Sequence, residues 1–191
     1  MEFKPENQEI IPVIETVRAA VFYRGKFLVL RKDKSSRNAG ALEFPGGKID
    51  EIVGKTSTVE EQQQATIAEV QEETGIDIAK LPMEKIENFA LYYEAVEHDG
   101  TKKKYKRLVH LFLIRLPDDE NVVLKINETK DPEGQPEDKH EDCTWVSPSE
   151  LVDSGTLLSE NPYTQKKIYP LTQNSRHIKK LLAAVEYLKS S

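Results

Sequence analysis

The chain has 191 residues, of which 38% are hydrophobic and 31% charged, and its formal net charge is −6. This length suits one domain with a sizeable core, and the composition is that of a soluble globular protein. The acidic balance argues against general binding to nucleic acid or anionic membranes, and no apolar run is long enough to span a bilayer. The single cysteine, Cys143, rules out an internal disulfide and favours a reducing, cytoplasmic location.

Two features mark the ends of the chain. Residues 1–12 are mostly polar, lack the pattern of a secretory signal and predict an N-terminal tail. Residues 13–191 are then expected to form a single domain. Near its end, apolar residues at helical spacing predict a C-terminal amphipathic helix: Ile178, Leu181, Leu182, Val185 and Leu188.

The predicted strands begin with a hairpin. Residues 16–23 and 26–30 are apolar and β-branched on either side of Arg24-Gly25, which is a turn signal. A polar loop over 31–40 then leads to a short strand over 41–44.

Further along, residues 89–97 and 105–116 predict two strands around the turn signal His98-Asp99-Gly100. The second strand is the more continuously apolar, so we expect it inside the sheet. The last elements before the C-terminal helix are a long acidic loop, a brief strand and a helix that starts with Ser-Pro, at residues 127–142, 144–146 and 147 onward.

Residues 59–74 predict a helix that carries acids on one side. Glu69, Glu72 and Glu73 stand at i, i+3 and i+4, within an arc of about 100°. Carboxylates so close repel one another unless a cation neutralises them, and hard oxygen donors suit Mg²⁺, with Mn²⁺ as a substitute. Gly75 should end the helix, because glycine accepts the left-handed conformation.

A solvated acidic helix face is the simpler alternative for these residues. Such a face normally carries Lys or Arg four residues from each acid. No basic residue occurs between Lys55 and Lys80. The absence favours a metal site.

The acids and the Pro45-Gly46-Gly47 turn upstream resemble the signature of the Nudix hydrolases, and the turn is close to the MutT form. The residues at the signature's offsets are Glu60, Glu69, Val70, Glu72, Glu73, Gly75 and Ile76. Two differences stand out. Ala68 occupies the signature's Arg position, and the loop before Glu60 is about seven residues longer than usual.

The resemblance, which covers roughly residues 16–151, implies an α/β fold of the α/β/α sandwich type with a mixed sheet. It implies an enzyme that hydrolyses a phosphoanhydride bond with Mg²⁺ held by Gly46, Glu60, Glu69, Glu72 and Glu73. Glu72 would also serve as a catalytic base. A loop acid would assist, for which Glu133 is preferred and Glu137 and Glu141 remain open.

Several basic and titratable residues have less specific roles. Arg31 and Lys32 could grip a substrate phosphate or belong to a solvated loop. The missing Arg at Ala68 predicts either a looser site or a replacement cation, for which Lys48, Arg18 and Arg37 are candidates. The basic run at 102–107 is more typical of a lysine-protected sheet edge than of a nucleic-acid site. The four histidines show no metal-like spacing and receive no function: His98, His110, His140 and His177.

The MutT-like turn favours an oxidised or non-standard nucleoside triphosphate as substrate. An ADP-ribose or nucleotide-sugar pyrophosphatase is an alternative enzyme, and a non-catalytic nucleotide sensor is an alternative of another class. The expected partner is a small-molecule nucleotide, with no nucleic acid and no membrane, and the chain is expected to be a monomer or homodimer.

Overall fold

A computed structural model of the chain describes residues 11–34, 40, 42–49, 56–96, 99–126, 140–152 and 183–186. The elements in chain order are β1 (Val13–Tyr23), β2 (Lys26–Lys32), β3 (Leu42–Glu43), α1 (Val59–Thr74), β4 (Met83–Val96), β5 (Lys102–Arg115), β6 (His140–Val146) and α2 (Pro148–Val152). Residues 183–186 add one further helical segment. Within these ranges, no helix combines the length and apolarity that a membrane span requires.

The strands form one mixed sheet in the order β3-β2-β1-β5-β4, and β6 also pairs with β2. β1 and β5 run parallel, from Val13 opposite Lys106 to Phe22 opposite Arg115, whereas the other pairs are antiparallel. The predicted hairpin of β1 and β2 is confirmed. β5 lies inside the sheet between β1 and β4, as its apolar run predicts.

Apolar side chains cover both faces of the sheet. One buried cluster joins Val17 and Leu28 of the sheet to Val70 of α1. The other joins Phe22 and neighbouring sheet residues to Val185 in the C-terminal helical segment. Side chains alternate between faces along a strand, so the two clusters lie on opposite sides, as the sandwich predicts.

The predicted helix 59–74 is confirmed, and both of its ends are capped. Thr58 and Glu61 form a capping box, in which the Glu61 N–H donates to the Thr58 hydroxyl and the Thr58 N–H donates to the Glu61 carboxylate. Gly75 follows with φ 73° and its N–H donates to the Gln71 carbonyl (2.9 Å). These caps fix where the acidic side of α1 begins and ends.

Two predicted loops are wrong at their ends, because strands extend into them. β2 continues through Arg31 and Lys32, which pair with Asp142 and His140 of a β6 that starts earlier than predicted. β4 likewise starts at Met83, opposite Ile114, rather than near residue 89. Backbone pairing compensates for polar side chains there, and hydrophobicity alone does not reveal such pairing.

The N-terminal tail is described only at residues 11–12, and the predicted C-terminal helix only at 183–186. Most of the acidic loop, residues 127–139, and Arg37 also lie outside the described residues.

Candidate functional site

The Pro45-Gly46-Gly47 segment lies against β1, which binds both of its ends. The Ala19 N–H donates to the Pro45 carbonyl (2.8 Å) and the Val17 N–H donates to the Gly47 carbonyl (3.0 Å). Gly46 has φ 139°, and a side chain there would collide with the Val17 carbonyl. The backbone at Gly46 therefore requires glycine for its conformation and for its close approach to β1.

Two acids of α1 meet this glycine pair. Glu73 is buried, and its Oε2 accepts a hydrogen bond from the Gly46 N–H (2.7 Å). The Glu69 carboxylate lies where a side chain on Gly47 would have to go. Residues four apart share one side of a helix, so α1 directs both acids at the same turn. Gly47 is thus required for a different reason from Gly46, namely to leave room for a carboxylate.

The other predicted acids lie farther out. Glu72 is on the exposed side of α1. Glu60 is exposed in the first turn, nine residues before Glu69, which corresponds to roughly 13 Å along the axis. Glu133 lies outside the described residues. The structure therefore brings Gly46, Glu69 and Glu73 together and leaves the roles of the rest as predictions.

The donor chemistry at the glycine turn fits a hard divalent cation. Carboxylate and backbone carbonyl oxygens are the donors that Mg²⁺ prefers, and the absence of a side chain on Gly47 lets the Glu69 carboxylate reach the turn. Among the described residues, however, no three His, Cys, Asp or Glu side chains are placed as a group that could hold a metal ion. The metal roles therefore stay predictions.

Glu43, at the end of β3, lies among three basic side chains. Its carboxylate is 2.6 Å from Lys32 Nζ, 3.2 Å from Arg18 Nη2 and 3.3 Å from His140 Nε2. Burial alone would raise the pKa of Glu43, but the Arg18 charge, the His140 hydrogen bond and Lys32 outweigh it and lower the pKa to about 2. Glu43 is therefore an anion at neutral pH, held by cations from β1 and β2.

His140 lies between Glu43 and Glu73 of α1. Its imidazole is buried, and Nδ1 lies 3.7 Å from Glu73 Oε1. The sequence predicts no function for His140, because the four histidines show no metal-like spacing and lie on separate elements. The only signal for it is the β2–β6 pairing, which joins distant parts of the chain.

Arg31 and Lys32 lie in β2 and not in a solvated loop, and both side chains contact other protein groups. Arg31 Nη1 donates to the Gly40 carbonyl (3.2 Å), and its Nε lies 3.9 Å from Glu141. Lys32 binds Glu43. A substrate phosphate would have to compete with these partners, so their role as phosphate ligands stays a prediction.

The residues considered as replacements for the missing Arg differ in placement. Arg18 binds Glu43, and Lys48 forms an isolated bridge with Thr16 of β1. Ala68 itself is exposed on α1. Arg18 therefore contacts Glu43, the carboxylate that also contacts His140.

A second buried histidine lies near the start of α1. His110 Nε2 is 2.8 Å from Glu15 and its Nδ1 is 2.9 Å from Asn88. Glu15 also accepts hydrogen bonds from the Ser57 N–H and hydroxyl, and Gln62 Nε2 donates to the Ser57 carbonyl (2.9 Å). The network ties three strands to the N-terminus of α1.

Comparisons with known proteins agree with this architecture. A family model described as the NUDIX domain matches residues 14–172. No curated protein sequence matches the chain. Among solved structures, the MutT protein from Methanosarcina mazei Go1 is 25% identical, with 76% of this chain and 84% of that chain covered and a TM-score of 0.50.

Two more distant structures share the fold alone. The E. coli dihydroneopterin triphosphate pyrophosphohydrolase is 15% identical, with 89% of this chain and 95% of that chain covered and a TM-score of 0.51. The NUDIX domain of Shewanella oneidensis NrtR, complexed with ADP ribose, is 13% identical, with 96% and 94% covered and a TM-score of 0.52. With the family model matching most of its length, this chain belongs to the Nudix hydrolases, enzymes that act on phosphoanhydride bonds.

Proposed function

We propose that the chain is a Mg²⁺-dependent pyrophosphohydrolase of a nucleoside diphosphate derivative. The observation that carries the proposal is the placement of Glu69 and Glu73 against Gly46 and Gly47. Two carboxylates beside a backbone turn offer the oxygen donors that a hard cation needs.

Glu69, Glu73 and the Gly46 carbonyl would hold the metal, with Glu72 and Glu60 as further ligands. The metal, when bound, neutralises charge on the pyrophosphate oxygens. The Gly46 N–H holds Glu73 Oε2 in place. Glu72 faces solvent and would accept a proton from the attacking water at its carboxylate. Glu133 would assist from the acidic loop, and Arg31 and Lys32 would bind a substrate phosphate.

As substrate we favour an oxidised or non-standard nucleoside triphosphate. The support is the sequence Pro45-Gly46-Gly47 within a MutT-like stretch, together with the likeness to a structure named as a MutT protein. ADP-ribose or a nucleotide sugar is the alternative. The two differ in their products, since a triphosphate yields a monophosphate and pyrophosphate whereas a nucleotide sugar yields two monophosphates.

The test is a screen of nucleotides with Mg²⁺ and with Mn²⁺, followed by chromatography of the products. Glu73→Gln is the matched control, because it keeps the size of the side chain while removing its charge. Turnover of one nucleotide class that depends on metal and on Glu73 is the expected result. Tight nucleotide binding without turnover of any candidate would instead identify a sensor. Two observations make this outcome worth testing: the described acids do not form a three-ligand metal group, and Ala68 replaces the usual Arg.

We further propose that the partner is the small nucleotide alone, without nucleic acid or membrane. The acidic net charge of −6 supports this. The exposed lysines at 102–104 form part of the β4–β5 ladder, and the Lys102 side chain forms an ion pair with Glu94 (3.3 Å). Native mass spectrometry would distinguish a monomer from a homodimer.

A further inference from the structure

His140 occupies an unusual position between two carboxylates. Its Nε2 lies 3.3 Å from Glu43 and its Nδ1 lies 3.7 Å from Glu73. The side chains of His140 and Glu73 are each only 3% exposed. The 3.7 Å separation from Glu73 is longer than a hydrogen bond, but polar contacts away from water are stronger than at a surface, so the ring influences where the Glu73 carboxylate lies.

We propose that His140 is a positioning residue of the active site, which holds the Glu73 carboxylate in the orientation that binds the metal. This inference rests on the proposed function, because it presupposes that Glu73 is a metal ligand. Position 68, which faces solvent, carries alanine and offers Glu73 no charged partner of its own.

The far side of the imidazole is anchored firmly enough for this role. Glu43 holds Nε2 and is itself bound by Lys32 (2.6 Å) and Arg18 (3.2 Å). These contacts come from β1, β2 and β3, so the ring is fixed from the sheet while it faces the helix. In many metal sites, residues that do not touch the metal orient its ligands in a similar way.

The backbone explains why the side chain of His140 points inward. The pairing of β2 and β6 shifts register between Arg31 and Lys32, opposite the start of β6 at His140. A bulge changes the direction of the side chains beside it. The irregularity thus brings His140 to Glu43 and Glu73, and it also brings Lys32 to Glu43.

Three substitutions separate the two contacts of the ring. The amide nitrogen of Asn lies near the position of Nδ1, that of Gln lies near Nε2, and Leu has neither donor. Binding of Mn²⁺ to the full-length protein is measured by electron paramagnetic resonance, with melting temperature as a separate measurement. His140→Gln and His140→Leu should weaken Mn²⁺ binding about 10-fold. His140→Asn should lose less, because its amide nitrogen keeps a polar atom near the Nδ1 position, on the side of Glu73.

His110 provides the matched control. It is a buried histidine beside a carboxylate, but its partners are Glu15 and Asn88 and it does not belong to the proposed site. His110→Leu should lower the melting temperature and leave the Mn²⁺ affinity unchanged. If it weakens Mn²⁺ binding as much as His140→Leu, the role assigned to His140 is wrong.

Glu73→Gln separates this inference from the proposed function. Mn²⁺ binding that is lost in Glu73→Gln but equal in the wild type and all His140 variants overturns the inference alone. Absence of Mn²⁺ binding by the wild type, or undiminished binding by Glu73→Gln, overturns both. If His140→Leu does not fold, the order of His140→Asn and His140→Gln decides, and equal affinities count against the proposal.

Discussion

His110 and His140, the two buried histidines among the described residues, lie beside carboxylates near opposite ends of α1, yet their surroundings differ. His110 is enclosed by Glu15 and Asn88, and Ser57, Gln62 and Lys85 complete a chain of hydrogen bonds. His140 faces Glu43 on one side and Glu73 on the other.

The hydrogen bonds around His110 join protein groups to one another and do not involve the proposed site. Burial, the largest influence, lowers the pKa of His110, and Lys85 adds to this, although the Glu15 hydrogen bond acts in the opposite direction. The imidazole is therefore neutral at pH 7 and satisfies the polar groups that fix the start of α1. Such a network stabilises a fold.

The cluster around His140 contains more ionisable side chains than the network around His110. Three basic side chains surround Glu43, and through His140 the cluster reaches an acid that already accepts the Gly46 N–H. Ionisable groups with shifted pKa values concentrate at functional sites, so the cluster beside the glycine turn supports the proposed site. The comparison teaches that the partners of a buried histidine, not its burial, distinguish the two roles.

Removing the charge of Glu73 should produce the largest effect on activity. Replacing a residue that only orients a metal ligand typically lowers metal affinity or activity about 10–100-fold. Glu73→Gln changes a proposed ligand itself, so it should lower kcat/KM roughly 100-fold or more with the fold retained. The measurement is steady-state turnover of the best nucleotide in the screen. Glu15→Gln, at the other histidine, should lower stability while kcat/KM stays near that of the wild type. Equal losses in the two variants would contradict the distinction between the clusters.

Alanine substitutions at the two glycines of the turn should have different effects, one mainly on stability and the other mainly on activity. Gly46→Ala places a Cβ against the Val17 backbone at a positive φ, so it should destabilise the fold by about 2–4 kcal/mol. Gly47→Ala meets only the flexible end of Glu69, so it should cost less than about 1 kcal/mol of stability. Its displaced carboxylate should nevertheless lower kcat/KM by roughly 10-fold.

Urea unfolding and turnover of both alanine variants test this contrast. A stable Gly46→Ala would mean that β1 can move away from the turn. Full activity of Gly47→Ala would mean that the Glu69 carboxylate has no fixed place in the site.

Acidification should expose the contribution of Glu43 to stability. Its pKa is about 2 in the folded protein and 4.5 ordinarily, so its stabilisation is present above pH 4.5 and is lost as the pH falls toward 2. At 1.36 kcal/mol per pKa unit the full loss is about 3 kcal/mol. The free energy of unfolding in urea between pH 6 and pH 3 should therefore fall less steeply for Glu43→Gln than for the wild type. Parallel curves would show that Glu43 is not held by its basic neighbours.

The helix and its end at Gly75 could be predicted because their signals are local. Acids at i, i+3 and i+4, followed by a glycine, specify a helix with one charged side and a defined end. The apolar hairpin and the interior β5 are equally visible in short stretches of sequence.

The β2–β6 pairing could not be predicted, because register between segments more than a hundred residues apart leaves no local pattern. Lys32 and His140 were consequently placed in loops, and the histidine received no function. Glu43 lies two residues before Pro45 in the sequence, but its surroundings depend on Arg18, Lys32 and His140 meeting it in space.

Arginine at position 68 should have the smallest effect, although the sequence suggested that alanine there weakens the site. A charge-assisted hydrogen bond to a carboxylate contributes about 1.5–3 kcal/mol when a partner is missing. Glu73 already accepts the Gly46 N–H and has His140 beside it, while a long side chain at exposed position 68 would lose rotamer freedom and be screened. Ala68→Arg alone should therefore change the half-saturating Mg²⁺ concentration by less than about 2-fold.

The same substitution should help more when His140 is replaced. If His140 supplies the orientation, Ala68→Arg in the His140→Leu background should recover part of the lost Mg²⁺ affinity, a coupling that a double-mutant cycle measures. Metal titrations of the wild type, both single variants and the double variant decide it. A large improvement from Ala68→Arg alone would show that Glu73 is poorly held in the natural protein and that His140 belongs with His110 as a structural residue.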